Sequence, residues 1–368
     1  MKTIAILGGG NGGFAAAAHL STLGHRPQLY NRSAETIAAV REAESIRYSG
    51  VLGEGTASVP VVTTDMGEAL DGADLVMVCL PATALTAVAA QLADHVDGSR
   101  PVLLNPGGTG GALAVRRALA EAGCESIPPL AETNTLTYIC RKRSDDHVHV
   151  SSLVENVRCG TLPATDDDAF GPVSELYPSL ERVPNVLHTA LSNVNAVLHP
   201  PGIVLAAAWI EHTGGDFRFY YDAGTPAVAN LMADLDEERL AVADAWGLDV
   251  DPFPELFADI GSTTAAAGES GSFLRVLRES EPNKEIRAPS SVDHRYFHED
   301  VPFGLVPMRT LARVAGAETP VIDSLITIAS SVTGEDYAAT GWGEADLGVE
   351  DVDPGDPPRV PGSIGGDP

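Results

Sequence analysis

The chain has 368 residues, enough for two domains of ordinary size with little left for a third. Hydrophobic residues make up 44% and charged residues 20%, which excludes a mainly disordered chain because there is enough apolar material to fill real cores. Aspartate and glutamate number 51 against 23 lysines and arginines, and the formal net charge is −28. A surface this negative repels phosphate backbones and anionic lipids, so neither nucleic acid nor a membrane is expected as a partner.

The sequence pattern also argues against membrane insertion and export. No uninterrupted apolar run approaches the roughly 18 residues that a membrane helix needs. The N-terminus, MKTIAILGGG, runs from a strand into a glycine loop, so we expect no signal peptide and a cytoplasmic protein. The four cysteines have no CxxC or Cys/His ligand spacing, which indicates reduced thiols and no metal site. Only three of the 23 basic residues are lysines, which fits either adaptation to high salt or the arginine bias of a GC-rich genome.

Strands and helices alternate in the first part of the chain. A continuous apolar run is typical of a parallel strand that is buried on both faces. Strands alternating with helices predict a doubly wound parallel sheet, the Rossmann-type α/β class. In chain order we predict strand Thr3–Leu7, helix Phe14–Leu23, strand Pro27–Tyr30, helix Ser33–Glu44 and strands Val59–Thr63, Asp74–Leu80 and Pro101–Leu104.

The second half of the chain has a helical pattern after a loop-rich stretch from Arg158 to Asn185. We therefore predict a dinucleotide-binding domain over residues 1–183 and a mostly α-helical substrate domain over 184–348. The last segment, 349–368, is rich in Pro, Gly and Asp and is expected to be disordered. The helices predicted for the second domain are Leu187–Leu198, Gly202–His212, Thr225–Trp246, Leu305–Gly316 and Val321–Thr333.

A glycine loop follows the first strand and opens the first helix. In such a loop the first glycine allows a tight turn, the second lets the backbone approach a pyrophosphate, and the third lets the helix pack on the strand. The helix N-terminus then offers free N–H groups to the phosphates. We expect the cofactor to be bound by this loop and by the residue that ends the Asp74–Leu80 strand: Gly8, Gly10, Asn11, Gly12, Gly13 and Pro81.

The end of the second strand bears on the choice of cofactor. NAD enzymes usually place an acidic residue here for the adenosine ribose, whereas this chain has Arg32 and Ser33. A guanidinium beside a hydroxyl suits a 2′-phosphate, so NADP(H) is favoured over NAD(H). The alternative is that Arg32 stacks on the adenine and leaves the choice open.

His199 is the candidate acid–base residue. Histidine titrates near neutral pH and so suits proton transfer. It is followed by Pro200-Pro201-Gly202, a sequence expected to end the preceding helix and to hold the imidazole at a helix C-terminus. The alternative is a plain helix cap.

Several segments resemble the opine dehydrogenases, the octopine/nopaline dehydrogenase family. They are GGGNGGFAAAAHL at Gly8–Leu20, NPGGTGGAL at Asn105–Leu113, the stretch Ala131–Arg141, SNVNAVLHPPG at Ser192–Gly202 and RYFHEDVPFGLVP at Arg295–Pro307. The resemblance implies an NAD(P)H-dependent reductive condensation of an α-keto acid, pyruvate being favoured, with the amino group of an amino acid. It also implies a Rossmann domain followed by a helical domain. We add a homodimer as an expectation.

The resemblance also implies site residues. Asp300 aligns with the family's aspartate and is expected to orient His199, with Asp293 as its rival. Arg295 and Arg141 would clamp substrate carboxylates, although either could be a structural ion-pair partner. The substrate pocket would further include Asn193, Glu132 and Thr133.

Other interpretations stay open at this point. His294 and His298 flank Arg295, and we expect them to face solvent rather than to bind a metal. A rival enzyme class is a ketopantoate-reductase-like NADP-dependent enzyme, which would use a lysine as its acid. A rival of another kind is a sensor that binds NADPH without turnover.

Overall fold

The computed structural model describes residues 1–349 and divides them into two units. Among the described residues, the first unit comprises Met1–Gly107 and Gly111–Val186, and the second comprises Gly108–Gly110 and residues 187–349. The division at residues 186 and 187 lies close to the predicted boundary at 183 and 184. The predicted disorder of the C-terminal segment concerns residues outside the described range, apart from Val349.

The first unit is an α/β structure in which strands and helices alternate as predicted along the main sheet, whereas the stretch 158–185, expected to be rich in loops, contains two strands and a helix. Its first half contains β1 Thr3–Leu7, α1 Asn11–Thr22, β2 Arg26–Tyr30, α2 Ala34–Ala43, β3 Ser45–Gly50, β4 Gly55–Ser58, β5 Val61–Thr63, α3 Met66–Leu70 and β6 Leu75–Val78. Its second half contains α4 Leu85–Leu92, β7 Val102–Leu104, α5 Gly111–Glu121, β8 Leu130–Thr133, β9 Tyr138–Ser144, β10 His147–Leu153, β11 Arg158–Leu162, α6 Asp167–Leu176 and β12 Glu181–Arg182. Short 3₁₀ turns occupy Ala82–Ala84 and Ala93–His95.

The main sheet has eight strands in the order β12-β11-β8-β7-β6-β1-β2-β5. From β8 to β5 all neighbours are parallel, and only the β11–β8 pair is antiparallel. The central strand β1 has four of its five residues buried, because helices cover both faces of a parallel sheet. The predicted Rossmann-type fold is confirmed.

A second, four-stranded sheet was not predicted from the sequence. Its order is β4-β3-β10-β9, with antiparallel pairs at both edges and a parallel pair in the centre. It packs against α1, and its buried Ile46, Val148 and Val150 join the same hydrophobic core as Phe14 of that helix. Its strands carry many polar and charged residues, so they lack the continuous apolar run that marks the main sheet.

The second unit is helical throughout its described length. The chain enters it through α7 Val186–Leu191. The unit then contains α8 Val194–Thr213, α9 Phe219–Asp222, α10 Pro226–Ala245, α11 Phe253–Asp259, α12 Ala265–Glu269, α13 Phe273–Arg278, a 3₁₀ turn Glu281–Asn283, α14 Arg295–His298, a π-helical turn Val301–Leu305, α15 Val306–Ala315, α16 Pro320–Thr333, α17 Tyr337–Thr340 and α18 Glu344–Leu347. The long helices predicted near residues 225–246, 305–316 and 321–333 are present as α10, α15 and α16.

The helix α8 corrects the prediction made around His199. The Pro200-Pro201 pair does not end the helix, which runs without a break from Val194 to Thr213. His199 is therefore the sixth residue of α8 and lies nearer to its N-terminus, so the prediction that the imidazole is held at a helix C-terminus is wrong. A proline inside a helix costs about 3 kcal/mol or more, but residues 199–203 are all buried and tertiary packing offsets this cost.

The segment 186–213 is also long and apolar enough to cross a membrane by length and composition. Of its most apolar stretch, 78% is buried inside the fold. Such burial is what the core helix of a folded domain shows.

Candidate functional site

The glycine loop between β1 and α1 has the geometry of a phosphate-binding turn. Gly8 has φ +125°, and a Cβ there would lie 2.4 Å from the carbonyl oxygen of Cys79. A Cβ on Gly13 would lie 1.8 Å from the carbonyl oxygen of Gly8, so only glycine lets α1 approach β1 this closely. A Cβ on Gly10, by contrast, would meet no atom within 4 Å, because it faces open space. No side chain caps α1 at Gly10, so the first N–H groups of the helix remain for an anionic ligand.

Of the two remaining loop residues predicted to bind the cofactor, Asn11 braces the loop against the second sheet. The Oδ1 atom of Asn11 accepts a hydrogen bond from the backbone N–H of Lys142 at 2.8 Å. A Cβ on Gly12 would lie 3.0 Å from the side chain of Leu136. Pro81 is exposed just after β6 and precedes the 3₁₀ turn Ala82–Ala84.

A pocket of about 410 Å³ opens at the carboxyl end of β2 and includes Gly8 of the glycine loop. Asn31 lines the pocket and is bonded to the glycine loop, because the Oδ1 atom of Asn31 accepts the N–H of Gly9 at 2.9 Å. Arg32 is exposed, and Ser33 begins α2 without a capping bond from its hydroxyl, so both side chains are available to a ligand. The open space at Gly10, the uncapped helix and this pocket together fit a dinucleotide. The pocket is lined by Gly8, Tyr30, Asn31, Arg32, Ser33, Thr36, Leu80, Thr83, Ala84, Ala87, Val88 and Gln91.

Glu132 and Thr133 lie at the end of β8 and contact the two ends of the glycine loop that precedes α5. Both are fully buried. The Oε2 atom of Glu132 accepts the N–H of Ala112 at the start of α5 at 2.7 Å, and a Cβ on Gly107 would come within 2.2 Å of that oxygen. Thr133 donates its hydroxyl to the carbonyl oxygen of Leu104 at 3.3 Å. These contacts give both residues a role in shaping the loop that leads into α5.

His199 and Asp300 meet in the interior of the second unit. The Nδ1 atom of His199 lies 2.8 Å from Oδ2 of Asp300, and the two residues are 6% and 5% exposed. A carboxylate can only accept, so Nδ1 carries the proton and Nε2 of the neutral ring is a base. Asp300 stands immediately before the π-helical turn Val301–Leu305, an irregularity that is frequent at functional sites. The rival Asp293 instead lies 3.1 Å from Nε2 of His298.

Two tyrosines that were not predicted complete the surroundings of His199. The hydroxyl of Tyr220 lies 2.9 Å from Nε2 of His199 and 2.9 Å from the hydroxyl of Tyr296. The ring of Tyr296 stacks on the imidazole with centroids 3.8 Å apart and planes 20° apart. Burial raises the pKa of Tyr220 well above its usual value, so its hydroxyl stays protonated. Tyr296 adjoins Arg295 in a family-like segment, whereas no spacing in the sequence connects Tyr220 to His199.

The remaining predicted substrate residues are spread over both units. Arg295 begins α14, keeps 56% of its side chain exposed and pairs through Nη2 with Glu299 at 2.9 Å. Asn193 caps α8 by accepting the N–H of Asn195 at 3.1 Å, and its amide donates to the hydroxyl of Thr109 at 3.0 Å. It therefore joins the loop 108–110 to the helix that carries His199. Arg141 is exposed on β9 of the first unit.

The expectation that His294 and His298 face solvent is wrong. His294 caps α14 through Nδ1, and its ring contacts that of Tyr296 edge-on at 4.5 Å. Burial lowers the pKa of His294, as does the nearby positive charge of Arg295. His298 is held by the hydroxyl of Tyr337 at 2.8 Å. Within residues 1–349 no group of three or more metal-ligating side chains is found.

Two family models match the chain. The NAD/NADP octopine/nopaline dehydrogenase, alpha-helical domain, matches residues 182–333, and the ketopantoate reductase PanE/ApbA model matches residues 4–135. The opine dehydrogenase of Arthrobacter sp. (strain 1C) is 33% identical over 350 residues, which are 95% of this chain and 95% of that protein. This chain belongs to the opine dehydrogenase family.

The fold of this chain is similar to the folds of solved opine dehydrogenase structures. An octopine dehydrogenase with NADH and pyruvate matches with a TM-score of 0.75 at 19% identity, over 95% of this chain and 96% of that chain. A yersinopine dehydrogenase with bound NADP⁺ matches with a TM-score of 0.72 at 15% identity, over 95% and 96% of the two chains.

Membership of the family decides between the interpretations left open by the sequence. The chain is an NAD(P)-dependent oxidoreductase of the opine dehydrogenase type, which acts on CH–NH bonds. The ketopantoate reductase model accounts for residues 4–135 alone, whereas the opine dehydrogenase relative matches nearly the whole chain. A sensor without turnover is likewise not supported.

Proposed function

We propose that this opine dehydrogenase condenses pyruvate, or a close α-keto acid, with the amino group of an amino acid, and that it uses NADPH in preference to NADH. The observation that carries the proposal is the buried His199–Asp300 pair, in which Nε2 of His199, hydrogen-bonded to the Tyr220 hydroxyl, is the acid–base atom that the chemistry needs. When bound, the dinucleotide supplies the hydride that reduces the imine carbon. Side chains of the protein carry out the proton transfers.

His199 would act as the acid–base residue. The amine must lose a proton to attack the carbonyl carbon, and the resulting carbinolamine must gain one on its hydroxyl before water can leave. A neutral imidazole takes up the first proton at Nε2, and the imidazolium returns it to the leaving hydroxyl. The Asp300 carboxylate, 2.8 Å from Nδ1, fixes the tautomer and stabilises the charged ring throughout.

Arg295 would bind a substrate carboxylate beside this pair. More than half of its side chain is exposed, and the contact with Glu299 engages one end of the guanidinium, so other N–H groups can form a bidentate bond. Asn193 would orient α8 and contribute to the pocket, and Glu132 and Thr133 would act by shaping the loop before α5. Arg141 is the second candidate for a carboxylate, on the first unit.

The proposed preference for NADPH rests on Arg32 and Ser33, which line the pocket at the carboxyl end of β2. A guanidinium and a free hydroxyl match the charge and the acceptor oxygens of a 2′-phosphate. No acidic side chain is among the pocket-lining residues to bind the 2′-hydroxyl of NADH. The yersinopine dehydrogenase bound to NADP⁺ adds support from a relative.

A substrate panel tests the proposal. NADPH oxidation is followed with pyruvate alone, with amino acids alone and with both together, over basic, acidic, apolar and sulfonated amino acids. Consumption of NADPH only when keto acid and amino acid are both present supports opine formation, and mass spectrometry identifies the secondary amine. Turnover with a keto acid alone would overturn the proposal.

A homodimer and a cytoplasmic location stay predictions. Light scattering of the purified protein tests the first, and fractionation of the source cells tests the second.

A further inference from the structure

A continuous line of hydrogen-bonding groups leads away from the His199–Asp300 pair. From Oδ2 of Asp300 to Nδ1 is 2.8 Å, from Nε2 to the Tyr220 hydroxyl is 2.9 Å, and from there to the Tyr296 hydroxyl is another 2.9 Å. Four side chains thus form one hydrogen-bonded chain within the second unit. They come from α8, from α9, from α14 and from the residue before the π-helical turn. Its inner end is buried, while Tyr296 is only half-buried and adjoins the exposed Arg295.

The donor and acceptor roles along these hydrogen bonds follow from the carboxylate of Asp300 at the buried end. The carboxylate accepts from Nδ1, so Nε2 of the neutral ring must accept, and the donor is the hydroxyl of Tyr220. The Tyr220 oxygen in turn accepts the hydroxyl of Tyr296. Tyr220 therefore occupies the very atom of His199 that exchanges protons with the substrate.

We propose that Tyr220 and Tyr296 form a hydroxyl relay that carries a proton between Nε2 of His199 and the substrate. This inference rests on the acid–base role proposed for His199. In the delivering direction the Nε2–H bond breaks as Tyr220 gains that proton, Tyr220 passes its own proton to Tyr296, and Tyr296 passes its own to the substrate oxygen. Each hydroxyl gives one proton and gains one, so both tyrosines end neutral, while His199 loses one unit of positive charge and the substrate oxygen gains the proton.

The surroundings suit a concerted relay. Burial raises the pKa of Tyr220 well above its usual value, which disfavours a tyrosinate intermediate and favours transfers that occur together. The Tyr296 ring stacked on the imidazole fixes the relay's geometry, and a π-face stabilises the imidazolium. The adjoining Arg295 would hold the substrate carboxylate where Tyr296 ends the chain.

Tyr→Phe variants test the relay because they remove only the hydroxyl and keep the stacked ring. We expect Tyr220→Phe and Tyr296→Phe each to lower kcat roughly 10- to 100-fold, less than loss of His199, because water can partly replace a hydroxyl. KM for NADPH should not change. The double variant should be no slower than the slower single variant, since either change interrupts the same chain. In mixtures of H₂O and D₂O, kcat of the wild type should fall along a curve, which indicates several protons in transfer, and the curvature should be lost in Tyr220→Phe.

Tyr337→Phe is the matched control. The hydroxyl of Tyr337 forms another tyrosine–histidine hydrogen bond of the second unit, 2.8 Å from Nδ1 of His298. Its removal should leave kcat and the isotope curve unchanged. His199→Gln, assayed alongside, separates the two proposals. If His199→Gln keeps its activity, the proposed acid–base role fails. If His199→Gln is inactive while Tyr220→Phe and Tyr296→Phe match the wild type, or if their losses multiply in the double variant, the relay alone is overturned.

Discussion

Nδ1 of His199 and Oδ2 of Asp300 lie 2.8 Å apart, although the two residues are 101 positions apart in the sequence. His199 is the sixth residue of a helix that contains two prolines, and Asp300 directly precedes a π-helical turn. Both side chains are nearly inaccessible to solvent. Because a buried carboxylate is strongly coupled to the ring with which it shares a hydrogen bond, the charge on Asp300 has a direct effect on the proton transfers of His199.

Asp300→Asn should therefore slow turnover while leaving the shape of the site intact. The amide has no charge to stabilise an imidazolium, and its NH₂ group can force the wrong tautomer on His199. We expect kcat to fall by about 10²–10⁴-fold, the usual contribution of acid–base catalysis. NADPH affinity, measured by quenching of protein fluorescence, should not change, because the glycine loop belongs to the first unit.

Asp293→Asn is the matched control for this change. Its side chain is 93% exposed and faces His298 rather than His199. It should keep wild-type kinetics. A crippled Asp293→Asn enzyme beside a normal Asp300→Asn enzyme would transfer the orienting role to Asp293.

The glycine loop allows binding and folding to be separated by two similar substitutions. Gly10→Ala adds a methyl group to open space at φ −84°, so the protein should fold with an unchanged Tm but bind the dinucleotide more weakly. Gly13→Ala places the same methyl group 1.8 Å from a carbonyl oxygen and should destabilise the first unit by about 1–3 kcal/mol or more. Thermal melts and NADPH titrations of both variants check this contrast, and equal Tm losses would contradict it.

Arg32 should set the preference between the two dinucleotides. Arg32→Asp removes a partner for the 2′-phosphate and adds a like charge, so the affinity for NADPH should fall far more than that for NADH. Arg41→Asp makes the same charge change at an exposed position of α2 outside the pocket and serves as the control. If the wild-type enzyme uses both cofactors with equal kcat/KM, the preference for NADPH does not exist.

The first β–loop–α segment could be read from the sequence because its determinants are local. Glycine at three fixed positions, a buried strand and an alanine-rich helix all lie within about twenty residues. The choice of Asp300 over Asp293 came instead from a family resemblance, since spacing alone does not tell which carboxylate folds back onto residue 199.

Tertiary packing explains what the sequence left hidden. Pro200 and Pro201 ordinarily end a helix, yet the burial of residues 199–203 keeps α8 intact. The second sheet escaped prediction because its strands have polar faces and gain their stability from packing on α1. Tyr220 reaches His199 only because α9 folds against α8, a contact to which no local pattern points.

The net charge of −28 predicts a stabilising effect of salt. Self-repulsion between carboxylates opposes the compact state, and at about 1 M salt the Debye length shrinks to roughly 3 Å. Tm should rise as KCl is added. Sucrose of equal osmolality does not screen charge and is the control. A flat or falling curve would favour well-compensated charges and the arginine bias of a GC-rich genome over adaptation to salt.

His294 should make the second unit sensitive to mild acid. Burial, together with the positive charge of Arg295, lowers its pKa below the usual 6.5, so the unfolded chain binds this proton more readily than the folded one. Its contribution to stability is present above pH 6.5 and is lost as the pH falls through that value toward the lowered pKa. His294→Asn keeps a capping oxygen for α14 and removes the titrating ring. Between about pH 7 and pH 5, Tm of the wild type should therefore fall more steeply than Tm of His294→Asn, while the two differ least above pH 7. Parallel slopes in the two melting series would show that His294 does not carry this linkage.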